Sequence, residues 1–313
     1  MPIEISVVIC SYNRASLLSD VLDSLCQQTL TPDRYEILVV DNASTDNTVE
    51  VVRAYQDKYS THQIRRLYEA RQGLGYARNA ALSEVSGAYI AYLDDDARAD
   101  LNWLTLAYKR LLTSTPLHCL GGPIHPFYTT LKPVWFKDQY ELRTWGDEER
   151  CLLPGESLSG SNMIWRKETI QSIGGFGETV GVKGEHLSVG EETIAFRHLW
   201  QMEPVPVVIY DPALIVYHWV PSYKMMVLYY LKRAFVIGQV AVQLDRQPVP
   251  GWRLRTALRS GGAVILRGAR ALWRYVRYKR WQNWAVEECP PVMIKLGAFL
   301  AACGVKVNIK QRA

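Results

Sequence analysis

Three consecutive carboxylates, Asp94, Asp95 and Asp96, close the apolar run AYIAYL at residues 88–93. Carboxylates this close repel one another and raise each other's pKa unless a cation or hydrogen-bond donors compensate them. The charge density points to a divalent metal held by oxygen ligands, and an open α/β sheet offers such a site at the C-terminal edge of its strands. A water-exposed acidic turn would look the same in isolation, so the rest of the chain decides between the two readings.

The elements that must position the triplet follow from periodicity. Residues 5–10 are a short apolar run suited to a buried strand, SYNR supplies a turn, and Leu17, Leu18, Val21, Leu22 and Leu25 follow at helical spacing. Residues 35–40 repeat the pattern and end at Asp41, where NASTDNT brings turn and N-cap chemistry ahead of a helix carrying Val49, Val52 and Tyr55. A third unit runs through 63–68, the loop EARQGLGYARN and a helix over 80–85, and Gly87 closes it before the strand that delivers the aspartates. Alternation of this kind predicts an α/β fold, Rossmann-like, with a mostly parallel sheet flanked by helices.

A chain of 313 residues can bury a sizeable core. Its net charge of +5 conceals a polarity: residues 222–313 hold 17 Lys and Arg against three Asp and Glu, net +14, while residues 1–221 hold 19 against 28, net −9. An acidic body is therefore expected to carry a basic extension facing phosphates, of lipid headgroups or of nucleic acid. The six cysteines are scattered without metal-ligand spacing, and no basic stretch precedes an apolar core at the N-terminus, so a cytoplasmic protein is expected. No uninterrupted apolar run approaches the length of a membrane span, which disfavours an integral processive synthase.

The blocks VVICSYNRASLL, EILVVDNASTDNT, ARQGLGYARNAAL, GAYIAYLDDDA, SGSNMIWRKETIQSIGGFGE and GEETIAFR, in this order and spacing, resemble the family 2 glycosyltransferases of the GT-A fold. The resemblance covers about residues 3–240. It implies an inverting hexosyl- or deoxyhexosyl-transferase of bacterial polysaccharide biosynthesis, moving a sugar from a UDP-, dTDP- or GDP-sugar to a glycan or lipid-linked acceptor. It also implies a catalytic domain over 1–221, divided into a nucleotide-binding half, 1–115, and an acceptor-side half, 116–221, with 222–313 as a helical, basic, amphipathic extension. A nucleotidyltransferase would instead need a Gly-rich phosphate loop directly after the first strand, where SYNRASLL stands. A non-catalytic nucleotide-sugar-binding or scaffolding protein is the alternative, although such a protein has no need of Asp94, Asp96, Glu191 and Glu192 together.

By the same resemblance, Ser11, Tyr12, Arg14, Asp41 and Asp94 surround the nucleoside, Asp95 lies beside them, and Arg71 and Arg78 flank the Gly73–Gly75 loop within reach of the pyrophosphate. Asp96 is the expected metal ligand, joined by His218 of IVYHWV, for Mn2+ or Mg2+; a lone histidine between apolar residues also suits a hydrogen-bonded core position. Inversion needs one carboxylate opposite the leaving group to take the acceptor proton. Glu192 is the first choice for that base and Glu191 the second, and an acidic pair opening a helix also complements its dipole. Ser161, Asn162 and Arg166 are expected on the acceptor side, with Trp135, Phe136, Trp145 and Trp165 as sugar-stacking candidates and residues 177–192 as a loop covering the site.

In the extension, Arg267, Arg270, Arg274 and Arg277 repeat at helical spacing opposite Ile265, Ala269, Leu272 and Val276, which predicts one amphipathic basic helix over 262–284. With Trp252, Trp273, Trp281 and Trp284 nearby, it is expected to make peripheral contact with an anionic membrane at the inner face of the cytoplasmic membrane rather than to bind nucleic acid; a helix packed on the catalytic domain is the competing reading.

Overall fold

The computed structural model describes residues 3–112, 117–178, 181, 186–245 and 251–310. The strands are β1 (Ile5–Ser11), β2 (Tyr35–Asp41), β3 (Gln63–Tyr68), β4 (Tyr89–Asp94), β5 (Ala97–Ala99), β6 (Cys119–Gly121), β7 (Ile124–Phe127), β8 (Arg150–Cys151), β9 (Met163–Arg166), β10 (Val208–Tyr210) and β11 (Val216–Trp219). The helices are α1 (Ala15–Cys26), α2 (Thr48–Lys58), α3 (Leu74–Glu84), α4 (Trp103–Leu111), α5 (Lys167–Ser172), α6 (Glu191–Leu199), α7 (Val227–Leu244), α8 (Trp252–Arg274), α9 (Trp281–Glu288) and α10 (Pro290–Ala302).

The chain divides into two compact units. The first comprises Met1–Phe127, Asp138–Thr179 and Glu191–Trp219; the second comprises Val220–Ala313 together with two upstream stretches, Tyr128–Lys137 and Val180–Gly190.

The first unit is built on an eight-stranded sheet in the order β3-β2-β1-β4-β9-β6-β10-β8, with β3, β2, β1 and β4 parallel and β9 antiparallel to both its neighbours. Successive residues of a strand face opposite sides, and β1 shows it. Ile5, Val7 and Ile9 pack with Leu18, Leu22 and Leu25 of α1, whereas Val8 packs with Ala77 and Ala81 of α3. The α/β sheet with helices on both faces is the architecture expected from the sequence. Away from the ligand edge, Glu36 is buried and accepts from Ser6 Oγ at 2.6 Å, from the Ser86 amide at 2.6 Å and from Arg65 at 2.8 Å. Burial alone would raise its pKa; these donors outweigh it and lower it. A smaller sheet, β5-β11-β7, lies in the same unit.

Two local expectations are corrected. The glycine loop is shorter than EARQGLGYARN suggests: α3 begins at Leu74, so Arg78 sits on the helix and not in the loop. The single helix expected over 262–284 is α8, which starts earlier and ends at Arg274, then a 3-10 turn at Tyr275–Arg277, then α9.

In the second unit α7 and α10 cross where each has a glycine. A Cβ on Gly238 would lie 1.9 Å from the Ile294 carbonyl oxygen, and one on Gly297 would lie 2.1 Å from that of Phe235, so the two backbones approach as only glycine permits. Lys137 pairs with Glu287 at 2.7 Å, and Asn283 donates to the Trp135 carbonyl at 2.6 Å, which fastens the upstream stretch to α9. Among the described residues no helix is long and apolar enough to cross a membrane.

Candidate active site

Three neighbouring strands end together. Ser11, Asp41 and Asp94 are the last residues of β1, β2 and β4, and the parallel register pairs Ser11 with Asp41 and Cys10 with Asp94. From Asp94 the chain turns through Asp95 and Asp96 into β5, whose Ala97 is paired with His218 on β11. The Trp219 amide donates to the Asp96 carbonyl at 2.8 Å and holds this corner. Within three residues the chain leaves the large sheet and enters the small one, which brings the carboxylates of one against the imidazole of the other.

His218 Nε2 lies 3.1 Å from Asp96 Oδ1 and 3.8 Å from Asp94 Oδ2, and the three side chains offer ligand atoms within 4.8 Å of one another. Nδ1 of the same ring is 3.0 Å from the Trp219 carbonyl, an acceptor, and so carries the proton. In the neutral ring Nε2 then presents a lone pair to two carboxylate oxygens, a set of three ligand atoms that could hold a divalent cation. Metal-binding imidazoles are commonly oriented in this way, through an N–H to a backbone carbonyl. Two carboxylates and one imidazole fit magnesium or manganese.

Asp95 is held by the protein. Ser11 Oγ donates to its Oδ2 at 2.8 Å and Arg14 Nη1 to its Oδ1 at 2.9 Å, and the same Arg14 nitrogen is 3.0 Å from Asp96 Oδ2. Burial pushes Asp95 up to about 6, with the Arg14 guanidinium opposing and Asp96 adding to the rise. Asp41 is likewise engaged, by the Ser44 amide at 2.9 Å and Arg66 at 3.2 Å. These internal bonds of Ser11, Asp41 and Asp95 brace the strand ends at the edge where the resemblance places the nucleoside. Tyr12 follows β1 and is half-buried.

Arg78 and Arg71 part company. Arg71 is exposed and pairs with Glu69 at 2.9 Å. Arg78 is 2% exposed, with Nη2 3.1 Å from the Gly160 carbonyl and 3.4 Å from Asp94 Oδ1, and Nη1 3.2 Å from Glu191 Oε1. Its guanidinium also lies over the Tyr92 and Phe176 rings, at 5.6 and 5.3 Å. Arg78 therefore connects the metal-type cluster to the acidic pair that opens α6.

In that pair Glu191 is buried, and burial, with Glu192 next, pushes it up to about 8 against the pull of Arg78. Among the described residues, one buried oxygen of each carboxyl, Glu191 Oε2 and Glu192 Oε2, has no hydrogen-bond partner. Glu192 lines a cleft of about 290 Å³ with Arg143, Trp145, Ser159 and Tyr210. Arg143 and Tyr210 were not anticipated. Ser159 lies in the SGSN block that was singled out; nothing in the local sequence marks the other two.

Of the acceptor-side expectations, Ser161 joins the site, since its hydroxyl accepts from the Asp94 amide at 3.2 Å. Asn162 does not. It is fully buried, with Oδ1 accepting from Trp103 Nε1 at 3.0 Å and Nδ2 donating to the Pro123 and Leu214 carbonyls, so its amide is spent on packing. Arg166 is paired with Tyr89 at the opposite end of β4 from Asp94, and its side chain meets Glu168 at 3.5 Å. Trp165 and Phe136 are core residues, Trp135 packs on Phe136 in the second unit, and Trp145 alone of the four lines the cleft. In the loop expected to cover the site, 179–180 and 182–185 lie outside the described residues.

The chain is similar to known proteins in sequence and in fold. Among curated proteins, glycosyltransferase AglE of Haloferax volcanii is 27% identical over 172 residues, 55% of this chain and 55% of that protein. Poly(ribitol-phosphate) beta-glucosyltransferase of Bacillus spizizenii is 36% identical over 104 residues, 32% of this chain and 16% of that protein, so the chain spans about half or less of the length of these relatives. Among solved structures, the mannosyltransferase PcManGT from Pyrobaculum calidifontis, in complex with GDP-Man and Mn2+, superposes with a TM-score of 0.63 at 19% identity, over 95% of this chain and 89% of its own. TarS 1-349 of S. aureus, in complex with UDP-GlcNAc, does so with a TM-score of 0.53 at 15% identity, over 97% and 93%. These likenesses are of fold, and the fold is GT-A. The model of the family described as glycosyl transferase family 2 matches residues 6–168, just over half of the chain. With that match laid over β1 to β4, the aspartate corner and β9, the chain belongs to glycosyl transferase family 2.

Proposed function

We propose that the protein is a metal-dependent, inverting hexosyl- or deoxyhexosyl-transferase that moves a sugar from a UDP-, dTDP- or GDP-sugar to a glycan or lipid-linked acceptor of bacterial polysaccharide assembly, in peripheral contact with an anionic membrane. The observation that carries this reading is the convergence of Asp94, Asp96 and His218 at the end of β4, one buried arginine away from the Glu191–Glu192 pair. The nucleotide-sugars and the manganese named for the two solved relatives support it.

Asp94, Asp96 and His218 would hold Mn2+ or Mg2+, the imidazole favouring manganese, and such an ion would supply positive charge for the leaving diphosphate. Arg14 holds Asp96 in place and offsets the charge of the triplet. Ser11, Asp41 and Asp95 keep the strand ends fixed where the nucleoside would lie, and Tyr12 is placed to pack on the base. Glu192 takes the proton of the acceptor hydroxyl as its oxygen bonds to the anomeric carbon and the bond from that carbon to the diphosphate oxygen breaks. Glu191, bound to Arg78, orients the pair. Three observations favour Glu192 over Glu191 as base: Glu192 lines the cleft, Glu191 is buried, and Glu191 already has a cation as partner.

Thermal shift with a panel of nucleoside diphosphates and their sugars, with and without manganese, tests this, because a ligand of the folded state raises its melting point. A metal-dependent rise with one nucleotide is expected and names the donor base. No shift with any of them, in a folded sample, would overturn the transferase reading in favour of a scaffolding role.

A further inference from the structure

Helix α8 packs with its small side chains and leaves its large ones in water. Ala257, Ser260 and Ala271 are its buried residues, and a Cβ on Gly261 would meet the Phe299 ring of α10 at 3.4 Å. At 3.6 residues per turn Leu254, Leu258, Ile265 and Leu272 fall on one narrow stripe of the helix, and they are 65–73% exposed. A helix that serves only its own protein buries such a stripe. Beside it stand Trp273 and Leu266, also exposed, and then Arg255, Arg259 and Arg270. The helix carries six arginines and no acidic residue. Among the described residues no carboxylate pairs with Arg255, Arg259, Arg267 or Arg270.

We infer that this stripe is the docking surface for an anionic phospholipid bilayer, with α8 lying in the plane of the interface. The inference rests on the membrane contact proposed above and assigns it to particular residues. Charge complementarity selects the occupant. An apolar face flanked by unneutralised arginines, with a tryptophan at the boundary between them, matches acyl chains beneath phosphate headgroups. A second copy of this chain would bring the same arginines against one another, and nucleic acid would leave the leucines in water.

The experiment is flotation of the full chain with phosphatidylcholine vesicles, with and without phosphatidylglycerol, at low and high salt. It is repeated for Leu258→Glu/Ile265→Glu and for Arg255→Gln/Arg259→Gln/Arg270→Gln, all exposed positions whose nucleotide and metal thermal shifts report that the fold is intact. Wild type is expected to float with the phosphatidylglycerol vesicles. The double glutamate variant loses about tenfold or more in partitioning, and the arginine variant loses the preference for anionic lipid together with its salt dependence. A wild type that floats with no vesicle would overturn both the membrane contact and the stripe. A glutamate variant that floats as well as wild type would overturn the stripe and leave the membrane contact standing. Concentration-dependent dimerisation in sedimentation, abolished by the glutamate pair, would hand the surface to a second copy.

Discussion

Arg78 Nη1 and Glu191 Oε1 stand 3.2 Å apart in a setting that excludes water from both side chains, with Asp94 on the other arm of the same guanidinium. One cation thus serves carboxylates from β4 and α6, elements joined nowhere near each other in sequence. Arg78→Leu leaves these carboxylates and the Gly160 carbonyl without their shared donor. Leaving a buried acceptor without its donor costs about 1–3 kcal/mol, and urea unfolding should show a loss of that order along with loss of transfer.

Glu192→Gln is expected to lower kcat by about 10²–10⁴-fold, the contribution of a positioned general base, while the nucleotide-induced thermal shift persists. A Glu192→Gln variant of full activity would move the base to Glu191.

Asp96→Asn and His218→Ala each remove a donor from the three-sided cluster, and both should lose the manganese-dependent thermal shift. Asp96→Asn should also abolish metal-dependent turnover. Retention of the full metal response in both variants would place the ion elsewhere.

The pH dependence follows from Glu191. Its folded pKa of about 8 lies above the unfolded value of 4.5, so the native state holds more protons than the unfolded chain between them. This group's contribution is complete below the lower value and is lost as pH rises through the upper one. Melting temperature should therefore fall from pH 5 to 9 in wild type and fall less in Glu191→Gln.

Gly238→Ala puts a methyl group into the Ile294 carbonyl, so α7 and α10 must separate. Overpacking of this kind costs about 1–3 kcal/mol, and limited proteolysis should cut the second unit faster in this variant.

β1, β2 and β4 were legible because they are buried on both faces and therefore read as short apolar runs, each closed by a polar residue at the ligand edge. Residue types alone also marked Asp94 and Asp96, since charge is costly where such a run ends, whereas Glu191 and Glu192 were marked by the resemblance of the GEET block. Direction was not legible. Asn162 and Ser161 are neighbours in one block, yet one spends its amide on Trp103 and two carbonyls while the other meets Asp94. Arg166 lies four residues beyond Asn162 on a strand that runs away from the site. Arg78 read as a loop cation because the glycines mask a helix start, and its partners come from residues 94, 160 and 191, which no spacing connects. In the tail the alternation of arginine and leucine was visible, but which face α8 would bury was not, because the deciding contacts are with α10.

The corner at Asp95 and Asp96 has a consequence for which ion the site would take under the proposed function. Asp94 ends one sheet and His218 belongs to another, so the gap between them is set by the dihedral angles of a two-residue bend and by the seating of β11 between β5 and β7. The preference for a larger or smaller cation is then a trait of strand geometry. A bulkier residue on β7, touching no ligand, can retune it while every coordinating side chain stays the same.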